Sequence, residues 1–331
     1  MTNKAQACIQ WIKDYYKDNP DGKAIIGISG GKDSTIAAAL CVEALGADRV
    51  IGVLMPNGHQ ADIADSAEVC GILGIEHITV NIGNAFASIC ERVGESLWMY
   101  GGAYKAENHP MIKTNLPARL RMATLYAVAA VYPNSRVVNT CNRSEDYVGY
   151  STKYGDAAGD FSPLGNLTVR EVLEIGDALN LPAHLVHKAP SDGMCGKTDE
   201  DNLGFTYDEL DNYILGTGRV REETKAKIEK LHNATRHKYT PMPMFDPEEA
   251  MNNELDQLDI DDINGVPYAE GGLVAPGQTM ANLCADISAA AANNANFNVE
   301  PINYGEINLN EISEIINKVI ETAGYAFKGG K

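Results

Sequence analysis

The first 140 residues alternate short apolar runs with longer segments of helical periodicity, and this alternation limits the possible folds more than any other feature. The first apolar run, AIIGIS, is short and hydrophobic on both faces, as a strand covered by helices on both sides would be. Strands are predicted at residues 24–29, 49–55, 77–82 and 136–140, and helices at residues 3–17, 34–45, 61–73 and 116–131. The repeated strand–helix order predicts an α/β fold with a parallel sheet and helices on both faces.

A glycine-rich octet, GISGGKDS, joins the first predicted strand to the helix that follows it, at residues 27–34. Gly30 and Gly31 allow the backbone to approach an anion closely, and the N–H groups that open a helix attract phosphate. Asp33 is unexpected beside an anion unless a divalent cation such as Mg²⁺ lies between the two. The spacing matches neither GxxxxGK[ST] nor GxGxxG, so the ordinary P-loop and dinucleotide fingerprints do not apply. The octet therefore predicts a phosphate site that works with Mg²⁺.

Polar residues also lie at the end of the fourth predicted strand and just after it, where Thr140 supplies a hydroxyl and Glu145 a carboxylate. Ligands of open parallel sheets bind at the carboxyl ends of the strands, so these side chains are expected near the octet. Glu145 is predicted to be the second Mg²⁺ ligand, beside Asp33. Taken alone, a carboxylate at this place is more often the first-turn residue of a helix.

Several downstream basic and acidic residues are candidates for substrate contacts. Arg119 lies in the predicted helix 116–131, and its planar guanidinium suits a phosphate or a carboxylate. A polar loop contains Lys153, Asp156 and Asp160, and the sequence Arg-His-Lys ends the last of the helices predicted at 168–179, 206–214 and 220–236. The polar stretch 189–205 is interpreted as a mobile lid that excludes water. Each of these also has an ordinary interpretation as a solvated helix face, surface turn or helix C-terminus.

Composition restricts the function and the compartment. The net charge is −18, and from Asp246 onward the chain has 15 acidic and 3 basic side chains, a net −12. An acidic chain argues against nucleic-acid binding, which requires clusters of lysine and arginine. The seven scattered cysteines contain no CxxC pair, which predicts reduced thiols in a cytoplasmic protein. No apolar run is long enough for a membrane span. Residues 247–331 are predicted to be an acidic extension with an amphipathic helix at 309–323.

The octet resembles the pyrophosphate-binding loop of the ATP pyrophosphatase (adenine nucleotide alpha hydrolase-like) superfamily, whose members adenylate a carboxylate or carbonyl oxygen. Combined with NLPARLRM, NTCNRSE and STKYGDAAGD, which begin at residues 115, 139 and 151, it resembles the ammonia-dependent NAD synthetases over residues 5–246. The resemblance implies a Rossmann-like (flavodoxin-like) fold, a homodimer, and a domain at residues 1–246. It also implies that ATP and ammonia amidate deamido-NAD through an acyl-adenylate, giving NAD, AMP and pyrophosphate.

The resemblance implies residue roles as well. Asp33 and Glu145 would bind Mg²⁺, and with Lys153 they form the predicted catalytic set. The predicted ATP-binding residues are Gly27, Ile28, Ser29, Gly30, Gly31, Lys32, Asp33, Ser34, Thr140 and Ser191. The predicted contacts to deamido-NAD are Arg119, Lys153, Asp160, His237 and Lys238. Asp156 or Asp160 is the candidate general base for ammonium.

Departures from the family pattern leave alternatives open. Val169 stands where the family often has an ATP-contacting lysine, and Arg170, one place later, points about 100° further around a helix. The alternatives are another adenylating amide ligase, a tRNA thiolase, or a non-catalytic nucleotide-binding sensor on the same fold. The extension matches nothing recognisable in the family.

Overall fold

The structure is a computed structural model that describes residues 2–60, 63–98, 105–188 and 198–246. A compact unit, Met1–Pro243, contains every described helix and strand, and a second unit covers Met244–Lys331. The predicted boundary at residues 246 and 247 stays a prediction, and the predicted helix 309–323 lies outside the described residues. Among the described helices, none is both long enough and apolar enough to cross a bilayer.

Helices and strands alternate through the first half of the chain, as expected, and helices dominate the second half. The strands are β1 (Ala24–Gly27), β2 (Val50–Leu54), β3 (Glu76–Thr79) and β4 (Arg136–Val137). The helices are α1 (Asn3–Tyr15), α2 (Lys32–Leu45), α3 (Ile63–Leu73), α4 (Gly83–Trp98), α5 (Pro110–Ala129), α6 (Arg143–Tyr147), α7 (Val169–Ala178), α8 (Ala183–Val186), α9 (Asp199–Leu203), α10 (Tyr207–Leu215) and α11 (Glu222–Thr235).

The described strands form one parallel sheet in the order β3-β2-β1-β4. This is the Rossmann order for the first four strands of a doubly wound sheet. From β1 the chain first adds β2 and β3 on one side and then returns to add β4 on the other side. Strands β1 and β4 are therefore neighbours in the sheet although they lie far apart in sequence. Connections that leave such neighbours diverge and open a crevice at their carboxyl ends. The octet follows β1 and the Glu145 segment follows β4, so the sheet brings both predicted Mg²⁺ ligands to this crevice.

Helices cover both faces of the sheet because alternate side chains of each strand point to opposite sides. On one face, Ile26 of β1 and Leu54 of β2 pack in a core with α1, α2 and α7. On the other face, Ile25 and Ile51 pack against Val128 of α5. The predicted α/β architecture is therefore confirmed, and the buried sheet provides a rigid support for the loops at its edge.

Several element predictions were wrong in their limits. The sequence analysis missed α4, although Phe86, Ile89, Val93 and Leu97 repeat at helical spacing. Helix α5 begins six residues before the predicted start at residue 116, because Pro117 is tolerated inside it. Part of the predicted lid is helical as α9, while residues 189–197 lie outside the described ranges. The short helix α8 was also missed.

Candidate active site

The octet forms a compact turn between β1 and α2. Gly30 adopts a φ of +75°, and Gly31 is the N-cap of α2 with a φ of −90°. The backbone N–H of Ser29 donates to Ser34 Oγ at 3.2 Å, and the two serine Oγ atoms lie 3.0 Å apart. These hydrogen bonds hold the turn in place at the start of α2, and the N–H groups that open a helix attract anions.

The two predicted metal ligands lie together, although 112 positions separate them in sequence. Asp33 Oδ1 accepts a hydrogen bond of 3.0 Å from Asn142 Nδ2. Asn142 is the N-cap of α6, and its own Oδ1 accepts the N–H of Glu145 at 3.0 Å. A single asparagine therefore connects the helix that carries Asp33 to the helix that carries Glu145.

Lys32 supplies a positive charge between these carboxylates. Its Nζ lies 2.7 Å from Asp33 Oδ2 and 3.8 Å from Glu145 Oε1. Both oxygens thus face the same cation, and two carboxylates on one cation are also a donor pair for a divalent metal. Mg²⁺ typically takes one or two carboxylates together with phosphate oxygens, so the donor set fits this ion. Within the described ranges, no group of three or more His, Cys, Asp or Glu side chains is arranged to hold a metal.

The charges of this site are unbalanced. Burial and the neighbouring Asp33 carboxylate raise the pKa of Glu145, while the Lys32 ammonium acts in the opposite direction. Burial alone would lower the pKa of Lys32, but Asp33 and Glu145 outweigh it and the net pKa is raised. The charge of the buried Asp199 also acts on Lys32 and Glu145, so three carboxylates lie around one ammonium and an additional positive charge would stabilise their ionised forms.

Three of the predicted substrate contacts meet at one place. The Lys153 ammonium donates to the backbone carbonyl of His237, and Arg119 Nε donates to the carbonyl of Lys153 at 3.3 Å. Arg119 and His237 are exposed, while Lys153 is half-buried. These contacts join the backbone of residues 153 and 237 to the side chains of Lys153 and Arg119, so three of the predicted substrate-binding residues lie in neighbouring segments.

The other two predicted substrate contacts are used in holding loops. Lys238 Nζ donates to the carbonyls of Gly149 and Ser151 at 2.6 and 2.8 Å. The Asp160 carboxylate accepts the N–H of Val137 at 2.7 Å and the hydroxyl of Tyr126 at 3.2 Å. Each of the two general-base candidates accepts a backbone N–H. The Asp156 carboxylate accepts the N–H of Thr152 at 2.8 Å.

Of the two remaining predicted ATP contacts, Thr140 and Ser191, the structure describes only Thr140. Thr140 is half-buried in the segment that follows β4, at the same sheet edge as the octet. Ser191 lies outside the described residues. The segment after β4 is held by Asn139, whose Nδ2 donates to the carbonyl of Asp156 at 2.8 Å.

Arg170 has partners on α10. Its guanidinium lies 3.3 Å from Asp208 Oδ1 and donates to Asn212 Oδ1 at 3.1 Å. Val169 is buried in a small core with Phe205, Tyr207 and Leu210. Arg170 is therefore occupied in tying α7 to α10 and is not arranged as a substitute for the lysine that the family often has at position 169.

A buried hydrogen-bond cluster supports the helix of Glu145. Ser144 Oγ donates to Asp211 Oδ1 at 2.5 Å and accepts the N–H of Val169 at 3.1 Å. Asp211 Oδ2 accepts the N–H of Arg170 at 2.8 Å. The cluster joins the starts of α6 and α7 to α10, and Ser144 is the residue beside Glu145. It was not found by sequence reasoning, because its members lie 67 positions apart.

Comparison with known proteins identifies the family. The NAD synthase family model matches residues 4–242. The NH(3)-dependent NAD(+) synthetase of Alkaliphilus metalliredigens is 35% identical over 243 residues, which are 73% of this chain and 97% of that protein. The chain belongs to the NAD synthase family.

Solved NAD synthase-like structures share the fold. The NMN synthetase of Francisella tularensis is 35% identical with a TM-score of 0.66, over 73% of this chain and 97% of that one. The NH3-dependent NAD synthetase of Campylobacter jejuni, solved with nitrate, is 26% identical with a TM-score of 0.57, over the same shares. The family resemblance inferred from the octet and the later motifs is therefore confirmed.

Two features of this family member were missed at the sequence level. Asn142 was not singled out, although the spacing from Asn142 to Glu145 is that of a capping box and could have been read from the sequence. The position of Lys32 between the carboxylates carries no sequence signal, since a long flexible side chain next to a turn can point in many directions.

The two glycines of the octet give a matched pair of substitutions. A Cβ at Gly30 would lie 2.9 Å from the Cβ of Asp65, at a positive φ, whereas a Cβ at Gly31 would have its nearest contact at 3.3 Å, to Ser29 Oγ. Gly30→Ala is expected to lower the free energy of unfolding by about 3 kcal/mol. Gly31→Ala is expected to lower it by no more than about 1 kcal/mol, through replacement of an N-cap glycine. Urea denaturation of both variants checks this, and equal losses would contradict it.

Arg170 gives a second prediction. Because its guanidinium bonds to Asp208 and Asn212, Arg170→Ala is expected to leave the KM for ATP within about twofold of the natural value and to cost about 0.5 kcal/mol of stability. Steady-state kinetics with varied ATP measures the first quantity. A tenfold rise in KM would show that Arg170 turns toward the phosphates.

Proposed function

We propose that this chain catalyses the ATP-dependent amidation of deamido-NAD by ammonia, giving NAD, AMP and pyrophosphate. The observation that carries the proposal is the meeting of the phosphate loop with Asp33 and Glu145 at the carboxyl ends of β1 and β4. The chain is a ligase that forms a C–N bond, as expected of its family.

The residues of the site supply binding and orientation. A carboxylate is a poor electrophile, so the nicotinate carboxylate attacks the α-phosphate of ATP and forms an acyl-adenylate with loss of pyrophosphate. The N–H groups at the start of α2 stabilise the departing pyrophosphate. Ammonia then attacks the acyl carbon and AMP leaves. No step requires a covalent enzyme intermediate, so positioning of the two substrates accounts for most of the rate.

Asp33 and Glu145 would hold Mg²⁺ at the position that Lys32 Nζ faces. When bound there, Mg²⁺ supplies positive charge that neutralises the phosphate oxygens. Arg119, Lys153 and His237 would contact the anionic groups of deamido-NAD, which is supported by the hydrogen bonds that connect their segments. Thr140 and Ser191 would contact ATP, and Asp160 and Lys238 would order the loops against which the dinucleotide lies.

A second candidate substrate is nicotinate mononucleotide. It is favoured by one observation: a solved relative with a TM-score of 0.66 and 35% identity is an NMN synthetase. The chemistry would be the same, because the carboxylate that is adenylated belongs to the nicotinate ring of both substrates. The two candidates differ only in whether the site also binds the adenylate half of the dinucleotide.

We propose further that the protein acts as a homodimer in the cytoplasm. The homodimer rests on the family resemblance. The cytoplasm is supported by the five cysteines of the described ranges, all free thiols: Cys8, Cys41, Cys70, Cys90 and Cys141. The net charge of −18 supports small-molecule rather than nucleic-acid substrates.

A coupled assay tests the proposal. The full-length protein is incubated with ATP, Mg²⁺, ammonium and either deamido-NAD or nicotinate mononucleotide, and all products are quantified. Equal amounts of NAD, AMP and pyrophosphate that depend on deamido-NAD and ammonium would support the first candidate. Preference for the mononucleotide would support the second, and binding of ATP without cleavage would leave the nucleotide sensor.

A further inference from the structure

The ammonium group of Lys32 is buried between the two carboxylates that are proposed to bind the metal. Its side chain is 6% exposed although it carries a charge, and its Nζ lies 2.7 Å from Asp33 and 3.8 Å from Glu145. The ring of Tyr207 lies 5.7 Å from the same nitrogen and closes another side. A buried ammonium is costly unless it is paired, so the two carboxylates retain it in this position, with a smaller contribution from the charge of the buried Asp199.

The same two carboxylates are the proposed ligands of Mg²⁺. A divalent ion bound to both carboxylates would lie beside the ammonium. Two positive charges that share the same carboxylates repel each other strongly in a partly buried site. Either the lysine or the metal can occupy the position between Asp33 and Glu145. Lysine can move away, because its ammonium is carried on a flexible four-carbon stem.

We propose that Lys32 is an internal counter-cation that holds the metal position while no divalent ion is bound, and leaves it when Mg²⁺ and ATP enter together. This inference rests on the proposed metal ligands Asp33 and Glu145. Lys32 is the first residue of α2 and directly follows Gly30 and Gly31. The displaced ammonium is therefore next to the phosphate loop, where the triphosphate of ATP replaces the carboxylates as its partner.

Two binding properties follow from this exchange. A divalent ion alone must displace a paired lysine, so it binds weakly. ATP receives the displaced lysine, so metal and nucleotide strengthen each other's binding by the same factor. The lysine would thus keep the two carboxylates neutralised in the free enzyme and make metal binding depend on the nucleotide.

The test is a Mn²⁺ titration of the full-length protein without nucleotide, followed by electron paramagnetic resonance. Lys32→Met keeps the length of the side chain and removes its charge, and is expected to tighten Mn²⁺ binding at least about tenfold, because the competing cation is gone. Lys225→Met is the matched control, since Lys225 pairs with Glu222 at 2.6 Å on an exposed helix face; its Mn²⁺ affinity should stay within about twofold. In EDTA, Lys32→Met should melt below the natural protein, and Mn²⁺ should restore its Tm.

Unchanged or weaker Mn²⁺ binding by folded Lys32→Met would overturn the proposal. If that variant does not fold, Lys32→Gln, which can still donate hydrogen bonds to the carboxylates, must show the same direction of change. Asp33→Asn in the Lys32→Met background tests the metal site separately from the role of Lys32. Loss of Mn²⁺ binding in the double variant supports the metal site. In that case, an unchanged Mn²⁺ affinity in the single variant Lys32→Met overturns only the role of Lys32. Retained binding overturns the metal site and this inference with it.

Discussion

Replacing Asp33 by asparagine is expected to reduce kcat/KM for amidation by at least about 1000-fold. Asparagine keeps the size of the side chain and its oxygen, so it can still accept the hydrogen bond that Asn142 donates at 3.0 Å. It loses the negative charge that would bind Mg²⁺ and that pairs with Lys32 at 2.7 Å. Steady-state kinetics at saturating Mg²⁺ measures the effect, and circular dichroism checks that the variant is folded.

Asp18→Asn is the matched control for this experiment. Asp18 is exposed in the turn after α1, so the same chemical change there should leave kcat/KM within about twofold. Near-normal turnover by folded Asp33→Asn would remove Asp33 from the metal site. It would leave the family and the fold untouched, since these rest on the sheet and on the comparisons.

Asp211→Ala is expected to lower the free energy of unfolding by about 2–4 kcal/mol. The substitution removes the acceptor for Ser144 Oγ at 2.5 Å and for the N–H of Arg170 at 2.8 Å, in a place where Asp211 itself is only 1% exposed. Buried donors that lose their partner pay their full desolvation cost. Urea denaturation measures the loss.

Asp208→Ala controls for the removal of a carboxylate from the same helix. The side chain of Asp208 is 84% exposed and pairs with Arg170 at 3.3 Å, so its loss should change stability by no more than about 0.5 kcal/mol. Equal effects of the two substitutions would mean that the Ser144–Asp211 cluster does not hold α6. If added Mg²⁺ stabilises Asp211→Ala against urea less than it stabilises the natural protein, the cluster also positions Glu145.

The parts of the molecule that are local in sequence could be predicted. The strand β1, the octet and α2 are consecutive, and each residue type in the octet has a use that can be stated without a structure. The same holds for Glu145, since a carboxylate after a parallel strand is expected at the functional edge of the sheet. Helix α4 was missed although its apolar residues recur at helical spacing, as the sequence itself shows.

Other features depend on contacts that the sequence does not display. The start of α5 was placed too late, because a proline usually marks a helix boundary and Pro117 does not. The pairing of Ser144 with Asp211 joins residues that only the fold brings together. From the sequence, the Arg170 side chain could point toward the phosphates or away from them. It points away because α10 packs beside α7 and provides Asp208 and Asn212 as partners.

The two carboxylate oxygens of Glu145 have different partners. Oε2 accepts the backbone N–H of Asn142 at 3.4 Å and completes the cap of α6, while Oε1 faces the cation position, 3.8 Å from Lys32 Nζ. One carboxyl group thus caps the start of a helix and is also the proposed ligand of the ion. A substitution that removes the whole group, such as alanine, would damage folding and chemistry together, whereas glutamine retains a capping oxygen and loses only the charge. If Glu145 binds the metal as proposed, most substitutions at this position change the start of α6 and the metal site together.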